Sequence, residues 1–482
     1  RVDKALMRNL KEIRRELQSS GLKIDIIHDL LLRSLFILYL EDRKATTTDF
    51  YAKYLKGAES YFDILENIEA TYALFEKLEV SFNGNLCPVT PAERRHVKAK
   101  HLKLIKECFW SHERSSKGQV QLFNWKVFDF SVIRIELISE IDEEFLSTER
   151  GEDDTRKKGA YYTPHSLVDF ILNEKLPWAN ESHTNYTLKI LDPTCGSGSL
   201  ILRIAKEVKD VSNFYGQESI RTTYNLARMN MILHGVRYDK FHIRQDDTLE
   251  RPQHLEHKFE AVVANPPFSA NWSANPLHLQ DDRFAQYGVL APKSKADYAF
   301  IQHMIYQLDD NGTMAVVMPH GVLFRGAAEG KIRQFLIKDK NYLDAVIGLP
   351  PNLFYGTSIP ACILVFKKCR ESPGNILFID ASRNFEKGKN QNRLRAVDID
   401  KIIETFEQRN EIEKYSHVVS TEEIIENEYN LNIPRYVDTF EEEEPIDLAE
   451  VTAEIKKTDS NMVEIDKKIA SYCKELGIEA PF

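Results

Sequence analysis

From residue 187 to residue 379 the chain alternates strand-sized apolar runs with helical stretches, an order that few folds accept. Runs at 187–191, 214–216, 241–244, 259–264, 313–318, 343–349, 359–366 and 376–379 read as strands. Segments near 199–209, 219–234, 297–308 and 329–338 repeat apolar residues at helical spacing between them. Strands joined through helices predict an α/β fold with a doubly wound sheet, which places its ligands outside the carboxyl ends of the strands. The short connection at 351–358 allows a final antiparallel hairpin.

Two turns on this framework carry chemistry. Asp192-Pro193-Thr194-Cys195-Gly196-Ser197-Gly198 lies where the first strand meets the first helix. Its glycines let the backbone approach a ligand closely, and the helix that follows offers unpaired N–H groups. A dinucleotide-binding turn has a third glycine where this chain has Ile201. Acidic residues then recur at strand ends. Glu218 closes the second strand and can accept both hydroxyls of a ribose, and Asp247 follows the third and can accept an adenine amino group. Any one of these acids could be a helix cap, but the ordered set along one sheet edge points to a nucleoside-bearing cofactor. Upstream, Tyr162-Thr163-Pro164 opens a helix with Thr163 or Ser166 as its cap, placed to cover the methionine end of such a cofactor.

The second turn, Asn265-Pro266-Pro267-Phe268, follows the fourth strand. The exocyclic amino nitrogen of adenine or cytosine is a poor nucleophile because its lone pair is delocalised into the ring. A catalyst must hold both N–H groups on acceptors that favour a pyramidal nitrogen, and the Asn265 side-chain oxygen and the Pro266 carbonyl are suited to that task. Consecutive prolines fix φ and bring no competing N–H, so the acceptors are preorganised. Phe268 offers a ring on which an extracted base could stack. These residues point to methyl transfer from S-adenosylmethionine, with no acidic general base required.

The 482 residues, 43% of them hydrophobic, suffice for one large or two to three ordinary cores. No apolar run reaches bilayer length and no secretory leader opens the sequence, so the expected location is the cytoplasm, with no membrane contact. Six scattered cysteines show no metal-ligand spacing, and neither disulfides nor a metal are expected. A net charge of −10 disfavours unaided binding to phosphates, so a basic patch or a partner is required for nucleic acid. Residues 1–150 read as an N-terminal helical domain, with Leu6, Leu10, Ile13 and Leu17 in one helix and Ile26 to Leu40 in a more buried second. Thr48 or Asp49 is placed to cap a third, and a charged linker spans 149–158. At the other end Leu448, Val451, Ile455, Thr458, Met462, Ile465, Ile469, Tyr472 and Leu476 alternate three- and four-residue steps, which predicts a coiled-coil-type helix for partner docking, led by Glu441 to Glu444.

Taken together, the sequence resembles the gamma-order N6-adenine DNA methyltransferases, in which a Tyr-Thr-Pro helix precedes the cofactor motif and Asn-Pro-Pro-aromatic follows it. It is most similar to the methylation (M) subunits of Type I restriction-modification systems, through Ala227 to Gly235, Asp297 to His303, Met318 to Gly326, Ala328 to Arg333, Val346 to Pro350, Leu353 to Thr357 and Tyr429 to Ile433. The resemblance implies a Rossmann-like class I methyltransferase sheet over residues 151–440, and a heptad helix over 441–482. It implies that Tyr162, Thr163, Pro164, Asp192, Cys195, Gly196, Ser197, Gly198, Glu218, Asp247 and Asn265 bind S-adenosylmethionine. By the same resemblance Asn265 to Phe268 hold the target amine and Phe354 touches the flipped base. The implied partners are double-stranded DNA, a specificity (S) subunit that reads the bases, and a restriction (R) subunit. Lys157-Lys158-Gly159-Ala160-Tyr161 stands where the family usually has Gly-Gly-Glu/Gln-Phe, a variant similar to single-chain restriction-modification enzymes. That architecture, and methylation of cytosine N4, RNA or protein glutamine, are the alternative readings.

Overall fold

The computed structural model describes residues 2–44, 46, 48–81, 88–109, 128–130, 189–207, 213–237, 240–354, 358–388, 391–439 and 448–481. It divides into two units, Arg1–Val437 and Asp438–Phe482.

The first unit begins with helices. Val2–Ser19 buries Leu6, Leu10, Ile13 and Leu17 on one face, as their spacing requires. It stops at Gly21, whose φ of +94° lets the Leu22 amide turn back to the Leu17 carbonyl at 3.3 Å. Ile24–Asp42 is buried nearly all round, and Thr48–Ala52 forms the third helix. Arg33 and Glu93 form a buried ion pair in this region, Arg33 donating two hydrogen bonds to Glu93 at 2.8 and 2.6 Å.

Among the described residues, nine strands form the main sheet: β1 (Ile190–Asp192), β2 (Phe214–Glu218), β3 (Phe241–Gln245), β4 (Phe259–Ala264), β5 (Leu308–Pro319), β6 (Leu343–Gly348), β7 (Ala361–Lys367), β8 (Asn375–Asp380) and β11 (Ser416–Ser420). A small separate hairpin pairs β9 (Glu386–Lys387) with β10 (Asn392–Arg393). The main order is β11-β8-β6-β7-β5-β4-β1-β2-β3. Strands β3, β2, β1, β4 and β5 run parallel, whereas β7 is antiparallel to both β5 and β6, which realises the expected hairpin. Strand β7 starts at Ala361 rather than 359 because Pro360 has no N–H to donate to the ladder. Edge strand β11, antiparallel to β8, has no counterpart among the expected strands.

From β1 the chain winds outward through β2 and β3, then returns to the other side of β1 as β4. The crevice beyond β1 and β4 is therefore the topological switch point, where open α/β sheets bind ligands. Ala261, Val262, Val263 and Ala264 are all buried, as expected for a strand covered on both faces. The helix Arg221–Leu233 packs beside the sheet and also against the N-terminal helices: Leu226, Met229 and Leu233 belong to the same apolar core as Leu6, Leu30 and Phe36.

The second unit contains the helix Leu448–Leu476, which matches the expected heptad segment. Val451, Ile455, Met462, Ile465, Ile469, Tyr472 and Leu476 are exposed along it, with fractions from 36% at Ile469 to 72% at Leu476. Gly477, at φ +67°, ends the helix, and the Ile478 amide donates to the Cys473 carbonyl at 3.0 Å.

Candidate active site

The glycine turn is tied to β2 before any ligand is considered. The Cys195 amide donates to the Gln217 carbonyl of β2 at 3.0 Å, and the Gly196 amide to Glu218 Oε2 at 3.1 Å. Gly198, at φ +80°, lies under the helix Arg221–Leu233, where a Cβ would meet Met231 at 3.4 Å and Ala227 at 3.5 Å. Asn230 of the same helix donates from Nδ2 to the Ser197 carbonyl at 2.9 Å, and Ser197 pairs its hydroxyl with that of Ser199. Thr248 closes the turn from the loop after β3 by donating to the Pro193 carbonyl at 2.5 Å.

The acids differ in their surroundings. Asp192 is 1% exposed and accepts from the Thr194 amide at 3.0 Å. Burial pushes its carboxyl up to about 8, with the Glu218 carboxylate adding to the shift and the Thr194 N–H opposing it. Burial and the same two carboxylates push the Cys195 thiol well up, so Cys195 acts as a small apolar filler rather than a nucleophile. Glu218 is largely buried, and its Oε1 accepts from the Ile220 amide at 2.8 Å and from the Ser219 hydroxyl at 3.4 Å. Asp247 is exposed, and its Oδ1 accepts from the amides of Leu249 and Glu250 at 2.9 and 3.0 Å. That is a capping contact, and it leaves Oδ2 for an amino group.

Beyond Gly196 there is open space where a side chain would begin. The Glu218 and Asp247 carboxylates along this edge disfavour a pyrophosphate and suit a ligand bearing hydroxyls and an amino group. The residues therefore fit S-adenosylmethionine better than a dinucleotide. Tyr162, Thr163 and Pro164 lie outside the described residues. Among the described residues no group of His, Cys, Asp and Glu is arranged to hold a metal, and no helix is long and apolar enough to cross a membrane.

Asn265, Pro266, Pro267 and Phe268 leave the end of β4, directly across the switch point from Asp192. Asn265 is half-buried with its Oδ1 shielded from solvent. Phe268 and Phe354 meet edge to face, with ring centroids 5.7 Å apart at 78°. Both are buried, at 4% and 2% exposure, in a core that also contains Cys195 and Met231.

Several residues that shape the site carry no motif. Gln217 donates to the Asp246 and Arg251 carbonyls, accepts from the Gln253 amide, and so fixes the loop that bears Asp247. Asn230 and Thr248 hold the glycine turn from distant elements. Asn230 is one of several polar residues in its helix and Thr248 follows an acidic pair, so neither stands out in the sequence.

A family model described as N-6 DNA Methylase matches residues 134–445. The Type I restriction enzyme MpnII methylase subunit of Mycoplasma pneumoniae is 36% identical over 350 residues, covering 70% of this chain and 63% of that protein. The HindI methylase subunit of Haemophilus influenzae is 31% identical, covering 71% and 79% respectively. Among solved structures, the type I restriction-modification system methyltransferase subunit of Streptococcus thermophilus aligns with 91% of this chain and all of its own, with a TM-score of 0.67 and 31% identity. The chain spans less than two thirds of the first curated relatives it matches, 63% and 56%.

Proposed function

Because this chain belongs to the N-6 DNA methylase family, we propose that it transfers a methyl group from S-adenosylmethionine to adenine N6 in double-stranded DNA, as the modification subunit of a Type I restriction-modification complex. The observation that carries this reading is the convergence of two turns on one switch point. The acid-lined glycine turn after β1 suits the cofactor, and Asn265-Pro266-Pro267-Phe268 after β4 suits a planar amine.

When bound, S-adenosylmethionine supplies an electrophilic methyl group. Glu218 and Asp247 hold its nucleoside end by accepting hydroxyl and amino hydrogens. Asn265 Oδ1 and the Pro266 carbonyl accept the two hydrogens of the target amine, so its lone pair turns out of the ring plane and toward the methyl donor. Phe268 holds the extracted base from one side. The nitrogen loses its extra proton to water after transfer, because no side chain is needed once it is cationic. The cofactor role of Tyr162, Thr163 and Pro164 rests on the family resemblance.

By this reading the helix Leu448–Leu476 docks on a helical specificity subunit that reads the bases, and the restriction subunit joins the same assembly. The test is nucleoside mass spectrometry of DNA incubated with S-adenosylmethionine, this chain and its specificity subunit. N6-methyladenine is expected with the native chain. Asn265→Ala should bind the cofactor as before and transfer at least about a hundredfold more slowly, the scale of losing one transition-state hydrogen bond. N4-methylcytosine, or no methylated DNA base, would replace this reading.

A further inference from the structure

We infer that Asp297 is the positioning residue of the catalytic turn: its buried carboxylate clamps Ser269, the residue after Phe268, and is itself held by Arg325. This deepens the reading above and rests on it. Asp297 begins the helix Asp297–Gln307 and is 1% exposed. Its Oδ1 accepts from the Ser269 amide at 2.7 Å, and its Oδ2 accepts from the Ser269 hydroxyl at 3.2 Å and from Arg325 Nη2 at 2.7 Å.

Ser269 needs such a clamp. Its φ is +50°, a left-handed conformation that a residue other than glycine keeps only where the surroundings over-determine it. Asp297 takes both of the donors that Ser269 offers. The adjacent Ala296 amide donates to the Ala270 carbonyl at 2.9 Å, so two successive residues after Phe268 are fastened to the same helix start. The direction in which the turn presents the Pro266 carbonyl and the Phe268 ring follows from that fastening.

Arg325 completes the device from the loop after β5. A Cβ on Gly321 would lie 2.8 Å from Arg325 Nε and 2.9 Å from Cζ, so the missing side chain there is what admits the guanidinium. Glu329 lies 3.0 Å from Arg325 Nε, and burial pushes its carboxyl up to about 7. Three segments with no assigned role, beginning at Asp297, Gly321 and Ala327, meet in this one network.

The test uses the full chain with its specificity subunit and compares Asp297→Asn with Asp297→Ala. Single-turnover methyl transfer, cofactor affinity by calorimetry, KM for duplex DNA, and 2-aminopurine fluorescence at the target position are the readouts. Asp297→Ala should slow transfer at least tenfold and diminish the 2-aminopurine signal, with the cofactor Kd and the KM for DNA within about twofold. Asp297→Asn keeps an acceptor for the Ser269 amide and should recover part of the rate. Transfer at the native rate in Asp297→Ala overturns the proposal, as does equal loss of rate and cofactor affinity. If the alanine variant does not fold, an asparagine variant with native rate and native fluorescence overturns it equally. Failure of the native complex to methylate adenine would instead sink the functional reading, so the two failures are distinguishable.

Discussion

At the scale of single residues, the site is set by how burial treats its acids. Asp192 and Asp247 both stand at the same sheet edge, yet Asp192 is enclosed while Asp247 faces solvent. With its carboxyl raised from 3.8 to about 8, Asp192 holds more protons folded than unfolded across that interval. The ligand-free protein should therefore lose stability as pH rises from about 4 toward about 8. A cation in the crevice favours the ionised form, so cofactor binding should release a proton in this window and tighten as pH rises, levelling off above about 8. Calorimetry in buffers of different ionisation enthalpy reads the proton directly, and thermal unfolding with and without cofactor reads the stability. Affinity that falls with pH would show that Asp192 does not face the cation. Nothing in Asp-Pro-Thr-Cys-Gly-Ser-Gly as a string reveals this titration, because it depends on Glu218 and the core beneath the turn, which arrive from other strands.

At the scale of elements, the helix Arg221–Leu233 has two duties on two faces. Ala227, Asn230 and Met231 back the glycine turn, while Leu226, Met229 and Leu233 pack with the N-terminal helices. Leu226→Ala opens a cavity in that shared core and should cost about 2–5 kcal/mol. Because the same helix carries Asn230, cofactor affinity should weaken as well, although Leu226 belongs to the opposite core. Denaturant titration and cofactor calorimetry on the variant check both, and an unchanged affinity would show that the helix transmits no displacement. Helical spacing announced this element, but its apolar residues encircle it, so the pattern could not assign each face to a partner. The strands were legible wherever a continuous apolar run gave both position and burial, as at Phe259–Ala264. Ser416–Ser420 escaped because an edge strand needs apolar residues on one side only and is bracketed here by serines. The contact between Phe268 and Phe354 was half legible. Phe268 followed from its motif, whereas Phe354 was placed by family resemblance, and their mutual burial emerges only when β4 and the loop after β6 are folded together.

At the scale of the whole molecule, a net charge of −10 and an exposed apolar seam point the same way. Burying a large side chain of that seam stabilises by roughly 1.5–3 kcal/mol, so a partner helix is strongly favoured over solvent. If the helix docks as proposed, Ile465→Asp combined with Ile469→Asp abolishes assembly with the specificity subunit and methylation of DNA, while cofactor affinity stays native. Size-exclusion chromatography and the methylation assay check this, and a double variant that still assembles would place docking elsewhere.

The pairing of β1 with β4 through Ile190↔Ala261 and Leu191↔Val262 has a kinetic consequence. The two halves of the site are adjacent in space but separated in the chain by β2, β3 and the helices between them, so the crevice cannot exist until a distant contact closes. Loop closure of that kind is slow compared with helix formation. On refolding, helical circular dichroism should return first and the capacity to bind S-adenosylmethionine later, in step with the docking of β4 on β1. Cofactor binding thus reports when β4 closes on β1, and a nascent polypeptide released before Ala264 carries the glycine turn without the turn that presents the target amine.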